Sequence, residues 1–293
     1  LHGQAIAIAL YGTVIGALFG GIPSEKYGRK KTLFIIGIIY FVSSIGAAIA
    51  QDVTTFMIFR FIGGLGVGAS SIVAPMYISE IAPAKTRGRL VAIFQFNIVF
   101  GILVSYLTNY LIHGSSENDW RWMLGIVAIP AVVFIVLLFF VPESPRWLMV
   151  KRKEYDKARG ILAVSDPAGV DDAIAAIQKD VEEEKQKAGL STFFNGRFNK
   201  QIVLAFLIAA FNQLSGINAI IYFAPRVFEM AGIGEDAAFL QSAGVGLVNL
   251  IFTMLGLVLI DKLGRKKLML IGSIGYIVSL AVVASAFYFE VKG

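Results

Sequence analysis

The sequence lacks cysteine and contains only two histidines among its 293 residues. The chain therefore forms no disulfides and offers no thiolate to a metal, and two isolated imidazoles, His2 and His113, leave little for metal or acid–base chemistry. Charge is also scarce, because 16% of the residues are Asp, Glu, Lys or Arg whereas 57% are hydrophobic. With a mean hydropathy of +0.73, the chain is too apolar for an ordinary soluble domain, and a lipid bilayer is the simplest solvent for it.

The sequence argues against three further kinds of function: nucleic-acid binding, phosphate binding by a glycine-rich loop, and catalysis. The net charge of +6 is gathered in a few loops beside apolar segments, which is typical of loops retained in the cytoplasm, so nucleic acid is not an expected partner. Gly64, Gly66 and Gly68 follow no predicted strand and form no phosphate-binding loop. No Ser–His–Asp set or carboxylate pair emerges, so we expect no enzyme. The chain begins at Leu1 inside an apolar stretch rather than with Met, which indicates a fragment.

Eight segments are long and apolar enough to cross a bilayer, which takes about 20 residues of helix. They are 4–22, 33–50, 56–76, 90–112, 123–141, 201–224, 238–260 and 268–289. The polar stretch 142–199 contains predicted soluble helices at 154–162 and 171–187. Loops rich in Lys and Arg alternate with loops nearly free of them, which assigns the basic loops and the polar stretch to the cytoplasm.

A basic hairpin occurs twice, as EKYGRKK at 25–31 and as DKLGRKK at 261–267. Six predicted spans separate the copies, which indicates two parallel six-helix repeats. The predicted domains are an N-terminal half at 1–141, a cytoplasmic helical linker at 142–199 and a C-terminal half at 200–293. If the hairpin joins the second and third helices of each half, one helix precedes the chain and three follow it. Coincidence between two short basic loops is the alternative.

Glycines form two stripes at helical spacing. Gly12, Gly16 and Gly20 share one face of the first predicted span, and Gly64 and Gly68 share one face of the third. Because glycine has no side chain, such stripes let helix backbones approach closely. The spacing predicts close helix contacts along these faces.

Several motifs follow one another along the chain. They are RFIGGLGVG at 60–68, PMYISEIAP at 75–83, RGR at 87–89, VPESPRWL at 141–148, QLSGIN at 213–218, YFAP at 222–225 and the two hairpins. In these motifs and their order the whole chain resembles the sugar-porter branch of the major facilitator superfamily, which contains hexose facilitators and pentose or hexose proton symporters. Two positions depart from the family pattern: Glu25 where Asp is usual, and Asn212 where a second Gln is common.

The resemblance implies an all-α membrane fold of two parallel six-helix repeats, present here as parental helices two to nine. It also implies a secondary transporter that moves a monosaccharide by alternating access, either by facilitated diffusion or with a co-transported proton. We expect a monomer in the plasma membrane with no cofactor and no metal. A transporter of inositol or another small neutral solute, and a sugar sensor that does not transport, are the alternatives.

Neutral amides are suited to an uncharged sugar, because each offers donors and an acceptor to hydroxyl groups. The amides within the predicted spans are Gln95, Asn97, Asn109, Asn212, Gln213, Asn218 and Asn249. The family motif implies that Gln95, Gln213, Asn218 and Asn249 line the sugar pocket and that Asn212 contributes to it. Pairing of these amides as links between helices is the alternative, and we assign Asn97 and Asn109 to that role.

Two aromatic residues and one arginine complete the substrate path. The resemblance implies that Tyr222 and Phe223, just before Pro225, form an outer gate; simple packing is the alternative. Arg60 is a strong cation near the start of the third predicted span, where it needs a carboxylate or a water-filled cavity. In the proton symporters of this family the matching Arg can face an acid on the first helix, which makes Arg60 the candidate partner in proton coupling and leaves the coupling itself open. Snorkelling of Arg60 to the interface beside Asp52 is the alternative.

Charged residues cluster at the predicted inner ends of helices in both halves. They are Glu25, Arg29, Glu80, Arg87, Arg89, Glu143, Arg146, Asp261 and Arg265. Salt bridges among them would hold the inner side shut and break when it opens, which gives alternating access a two-state latch. A pure topology signal is the alternative, although it explains the acidic members poorly because acids contribute little to orientation.

Overall fold

Helices make up all the regular structure of the computed structural model, which describes residues 2–83, 86–186, 199–214, 216–230, 232 and 234–290. The N-terminal helices are α1 (His2–Phe19), α2 (Gly21–Tyr27), α3 (Arg29–Ile49), α4 (Val53–Ile81), α5 (Arg87–Ile112), α6 (Asp119–Gly125) and α7 (Ala128–Phe140). They are followed by a short turn α8 (Pro145–Trp147) and a π-helical turn (Leu148–Arg152). The remaining helices are α9 (Tyr155–Ser165), α10 (Val170–Gln186), α11 (Asn199–Leu214), α12 (Ile217–Met230), α13 (Glu235–Leu263) and α14 (Arg265–Glu290).

Six helices in the described residues are long and apolar enough to cross a membrane. They are Arg29–Ile49, Val53–Ile81, Gly88–Ile112, Asp119–Phe140, Ala237–Ile260 and Lys266–Ser285, where Asp119–Phe140 comprises α6 and α7. The bent pair Ala7–Phe19 and Gly21–Tyr27, whose axes differ by 45°, is a seventh when its two helices are counted as one span. Pro23 explains the bend, because it cannot donate to the carbonyl of Phe19 four residues earlier. These seven segments agree with seven of the eight predicted spans.

The eighth predicted span, 201–224, is divided between two helices. Helix α11 ends at Leu214, and α12 begins at Ile217. Gly216 lies between them with a φ of 80°, a conformation that glycine adopts readily and that ends a right-handed helix. The chain therefore has two shorter helices where the hydropathy of the segment indicated one.

Internal packing divides the chain into two units. The first comprises Leu1–Phe94 and Leu111–Ala188, and the second comprises Gln95–Tyr110 and Gly189–Gly293. The middle of α5 thus packs with the C-terminal helices. The predicted division into halves at 141 and 200 concerns the sequence repeat and stays a prediction.

Helices α1 and α4 of the first unit touch backbone to backbone. A Cβ placed on Gly64 would collide with the carbonyl oxygen of Ala9, and one on Gly68 with that of Thr13. Likewise, Gly12 and Gly16 of α1 face the carbonyl oxygens of Phe61 and Leu65. The close approach predicted from the glycine stripes is confirmed.

Two further contacts shape the first unit. Leu33, Ile36, Val73 and Leu138 form its buried core, where α3 packs between α4 and α7. Beyond α7, Trp147, Leu148, Met149 and Ala158 form a second core, against which Ile161, Ile174 and Ile177 pack. The predicted helices at 154–162 and 171–187 correspond to α9 and α10, and their apolar faces cover this second core.

We expect Gly64→Ala and Gly68→Ala to destabilise the first unit, because overfilling a tight contact costs about 1–3 kcal/mol. The apparent Tm of the purified full-length protein is the measurement. Gly101→Ala on α5 is the matched control, since the space beside Gly101 is open in the described residues. Equal Tm values for all three variants would contradict the close contact of α1 with α4.

Candidate functional site

Two of the predicted substrate amides form a pair at the break between α11 and α12. The Nδ2 of Asn218 donates to the Oε1 of Gln213 at 2.8 Å. Gln213 is the second-last residue of α11 and is exposed, while Asn218 lies in the first turn of α12 and is half-buried. The break at Gly216 turns the chain so that two amides five residues apart meet.

The other amides lie on separate helices of the second unit. Gln95 is exposed on α5, and Asn249 is half-buried on α13, where its Oδ1 accepts a long hydrogen bond of 3.5 Å from Thr253. Within the described residues neither side chain bonds to the Gln213–Asn218 pair. The side chain of Asn212 lies outside the described residues. Their common role in binding a substrate stays a prediction.

The two predicted gate residues lie at a kink in α12. Phe223 has a non-helical backbone (φ −114°, ψ 15°), and Pro225 is inside the same helix. Tyr222 has 49% of its surface exposed, and Ala224, next to the proline, is 2% exposed. At this kink Tyr222 is thus half-exposed, whereas Ala224 is packed.

Arg60 lies in α4, two turns after Asp52, and is half-buried. The carboxylate of Asp52 caps α4 by accepting from the backbone N–H and the hydroxyl of Thr55, at 2.8 and 2.6 Å. These hydrogen bonds lower the pKa of Asp52. Asp52 is thus engaged at the start of the helix, which gives it a structural role whatever the partner of Arg60.

A buried ion pair lies at the centre of the basic hairpin. The Nε and Nη2 of Arg29 donate to the two oxygens of Glu80, both at 2.8 Å. The side chains are 9% and 8% exposed, respectively. The third nitrogen of Arg29 donates to the carbonyl of Ser24, and Glu80 also accepts from the hydroxyl of Ser144 at 2.5 Å. The pair is bidentate, and each buried charge has the opposite charge and the hydrogen-bond partners that it needs.

Glu143 binds the N-terminus of α3. Its Oε1 accepts from the backbone N–H groups of Lys30 and Ser144, both at 2.9 Å. Gly28, with a φ of 99°, makes room for the carboxylate, since a Cβ there would collide with its other oxygen. A negative charge at a helix N-terminus is favourable, because free N–H groups and the helix dipole both attract it. Glu143 therefore caps a helix that is distant in sequence.

Two of the remaining predicted latch residues make longer contacts, one is exposed, and three have side chains outside the described residues. Glu25 is 4.0 Å from Lys151, and Arg146 is 3.8 Å from Asp180. Contacts this long and exposed contribute little. Arg89 is exposed, and the side chains of Arg87, Asp261 and Arg265 lie outside the described residues. We call Glu25, Arg29, Glu80, Glu143 and Arg146 the charge cluster, and all five belong to the first unit.

The sequence analysis missed several residues that form hydrogen bonds in or beside the charge cluster. Ser144 donates to Glu80 and also caps α8 by accepting from the N–H of Trp147 at 3.1 Å. The indole of Trp147 donates to the carbonyl of Glu25, and the hydroxyl of Tyr77 to that of Pro142. A Ser directly before Pro145 is a recognisable helix start and could have been found. The aromatic donors leave no local signal.

The whole chain, residues 1–293, matches the sequence model of a family described as sugar (and other) transporter. The chain belongs to this sugar transporter family. It is 37% identical to the D-xylose-proton symporter of Escherichia coli (strain K12) over 318 residues, an alignment that covers 100% of this chain and 64% of that protein. It is 36% identical to the arabinose-proton symporter of Bacillus subtilis (strain 168), covering 99% and 64%. The chain thus spans about 64% of the length of these relatives.

A solved structure gives the fold of this sugar transporter family member. The partially occluded, inward-open structure of the xylose transporter from E. coli superposes with a TM-score of 0.85 at 38% identity, covering 98% of this chain and 68% of that one. The major facilitator fold implied by the motifs is confirmed. The chain is a multi-pass membrane protein.

We expect Glu80→Gln to lower the apparent Tm markedly, because removing one partner of a buried ion pair leaves the other charge uncompensated at a cost of about 3–5 kcal/mol. Thermal unfolding of the purified full-length protein measures this. Glu182→Gln, an exposed position on α10, is the matched control and should leave Tm within about 1 °C. Equal behaviour of the two variants would show that the Arg29–Glu80 pair does not stabilise the unit.

Proposed function

We propose that the protein containing these residues carries a neutral monosaccharide across a membrane by alternating access, without chemically changing it. The observation that supports this most directly is the Gln213–Asn218 pair, held at a helix break in a chain of the sugar transporter family. Relatives are named for D-xylose and arabinose, so pentoses are the first substrates to test.

The amide pair keeps most of its hydrogen-bonding capacity. One bond joins the two side chains, which leaves Gln213 both amide hydrogens and leaves Asn218 one hydrogen and its carbonyl oxygen. Such a pair offers donors and an acceptor side by side, which matches adjacent hydroxyl groups. The mutual bond also fixes the orientation of both side chains before a sugar arrives, so less entropy is lost on binding. In this proposal Gln95, Asn212 and Asn249 complete the pocket.

Proton coupling is the proposed driving force. Both relatives are named as proton symporters, and Arg60 is a half-buried cation within an apolar helix. Such a group is costly in a membrane unless it faces a carboxylate or water. In this proposal Arg60 faces an acid whose protonation changes during the cycle.

Orientation and latching follow from the charges. The positive-inside rule supports a cytoplasmic location for residues 142–199 and both basic hairpins. We propose the plasma membrane as the membrane that holds the protein. The charge cluster surrounds the first hairpin at the end of α2 and the start of α3. We propose that it joins Asp261 and Arg265 of the second hairpin in a latch that holds when the inner side is shut.

Counterflow into proteoliposomes tests this function. Vesicles that contain the full-length protein and are loaded with D-xylose should exchange it for labelled D-xylose outside. An inward proton gradient should drive net accumulation of the sugar. Saturable binding of a sugar without exchange would indicate a sensor and overturn the proposal. Exchange of inositol but of no monosaccharide would replace the substrate class.

We expect Gln213→Ala to weaken uptake at least tenfold, equivalent to about 1.4 kcal/mol for each factor of ten. The reason is that it removes two donors offered to the sugar and releases Asn218 from its fixed orientation. Initial uptake rates over a range of sugar concentrations measure the change. Asn97→Ala, an exposed amide on α5, is the control, and unchanged kinetics for Gln213→Ala would assign this amide to helix packing instead.

We expect Glu143→Gln to slow transport with little change in sugar affinity. The substitution keeps the shape of the side chain but removes the negative charge that binds the N-terminus of α3. Exchange rate and equilibrium sugar binding are measured on the same preparation. Glu229→Gln, exposed on α12, is the charge-matched control. Selective loss of equilibrium binding in Glu143→Gln would contradict a latch role.

A further inference from the structure

Pro225 removes a hydrogen bond from the middle of α12. In a regular helix the N–H of residue 225 would donate to the carbonyl of Ile221, four residues earlier. Proline has no N–H, so the Ile221 carbonyl has no such donor in its own helix. Between these two residues, Phe223 departs from helical geometry. The bend of α12 and its freed carbonyl thus have one cause.

The hydroxyl of Tyr106 replaces the missing donor. It donates to the carbonyl oxygen of Ile221 across 115 residues of sequence. Tyr106 lies in the part of α5 that belongs to the second unit, as do Ile221 and Pro225. The hydroxyl of a neighbouring helix therefore satisfies the one carbonyl that the proline frees.

The ring of Tyr106 is held firmly enough to act in this way. Tyr106 is 9% exposed and packs with Ala224 and Ala243, which are 2% and 5% exposed. On another side Gly246 of α13 faces the ring, where an added Cβ would lie 3.0 Å from its Cδ2. Small residues on α12 and α13 thus form a slot for the ring, and the slot directs the hydroxyl to the Ile221 carbonyl.

We propose that Tyr106 is a positioning residue for the hinge of α12: its hydroxyl fixes the bend at Ile221 and so sets the position of residues 222 and 223. The importance of that position for sugar movement rests on the proposed function, in which Tyr222 and Phe223 gate the substrate. The hinge itself is a property of the fold and can be tested without any sugar.

A double-mutant cycle with Pro225 distinguishes this role from packing. Tyr106→Phe keeps the ring in its slot and removes the hydroxyl alone. Pro225→Ala restores an N–H at position 225, which can donate to Ile221 within the helix. The hydroxyl should therefore matter when residue 225 is proline and become redundant when it is alanine. A ring that only packs would behave alike in both backgrounds.

The reporter is a cysteine at position 222, which is half-exposed. These 293 residues contain no cysteine, and any elsewhere in the full-length protein are replaced by serine. The rate at which a soluble maleimide modifies Tyr222→Cys is measured in detergent without sugar. When residue 225 is proline, we expect Tyr106→Phe to change this modification rate at least about threefold. In the Pro225→Ala background we expect the same substitution to change the rate less than about 1.5-fold.

Tyr110→Phe is the matched control, because Tyr110 lies one turn further along α5 and its hydroxyl makes no hydrogen bond to the described residues. Its modification rate should equal that of the parent. Apparent Tm is measured for every variant. Tyr106→Phe should lower the apparent Tm more in the parent than in the Pro225→Ala background. This comparison of Tm values can be made even if Tyr106→Phe alone is partly unfolded. Equal effects of Tyr106→Phe and Tyr110→Phe, or an equal effect of Tyr106→Phe in both backgrounds, would overturn the hinge role.

Transport separates this proposal from the proposed function. If D-xylose counterflow is present, Tyr106→Phe should slow it while leaving apparent sugar affinity within about twofold, because the hydroxyl positions the hinge and does not touch the sugar. If no sugar is exchanged at all, the proposed function fails, whereas the modification rates and Tm values still decide the role of Tyr106.

Discussion

The end of a helix or an interruption within it leaves backbone N–H or C=O groups unpaired, and a substitute partner from the protein can satisfy them, which hydrocarbon cannot. At the start of α3 the carboxylate of Glu143 accepts from the N–H of Lys30. At the bend of α12 the hydroxyl of Tyr106 binds the carbonyl that Pro225 frees. Both substitutes come from distant parts of the chain. The interruptions are consequently tied to tertiary structure, and changing the packing around them changes the local backbone.

The charge cluster and its neighbours Tyr77 and Trp147 link helix ends partly through main-chain carbonyls. The guanidinium of Arg29 and the indole of Trp147 each donate to a carbonyl of the first hairpin region, at Ser24 and Glu25. The hydroxyl of Tyr77 joins α4 to the carbonyl of Pro142 just after α7. Together with the Arg29–Glu80 pair, these contacts join the ends of α2, α4 and α7 at several points. The charged end of the first unit is therefore held by several partners and not by one ion pair alone.

Much of this architecture could be predicted from the sequence because the bilayer imposes strong rules. Seven of eight spans follow from the length of apolar runs, and the contact of α1 with α4 follows from glycines at helical spacing. The break at Gly216 was harder, since hydropathy does not register the backbone conformation of one residue. The segment predicted as one span over 201–224 consists of α11 and α12, which are separated at Gly216.

The site was less predictable than the fold, for a physical reason. Amide types at 213 and 218 are visible in the sequence, yet their mutual hydrogen bond depends on the turn between α11 and α12. Tyr106 carries no sequence signal at all, because its partner is a main-chain carbonyl 115 residues away. Proline at 225 indicates that some donor is needed for Ile221, but only the fold identifies which helix supplies it.

The capping of α3 by Glu143 has a consequence for biosynthesis. The N-terminus of α3 lies at residue 29, whereas the carboxylate that binds the N–H of Lys30 arrives 113 residues after that lysine. During synthesis α3 and α4 leave the ribosome before that carboxylate exists. The first basic hairpin therefore reaches its final geometry only after the chain has been extended past α7, so insertion of the early helices and completion of their charged end are separate events in time.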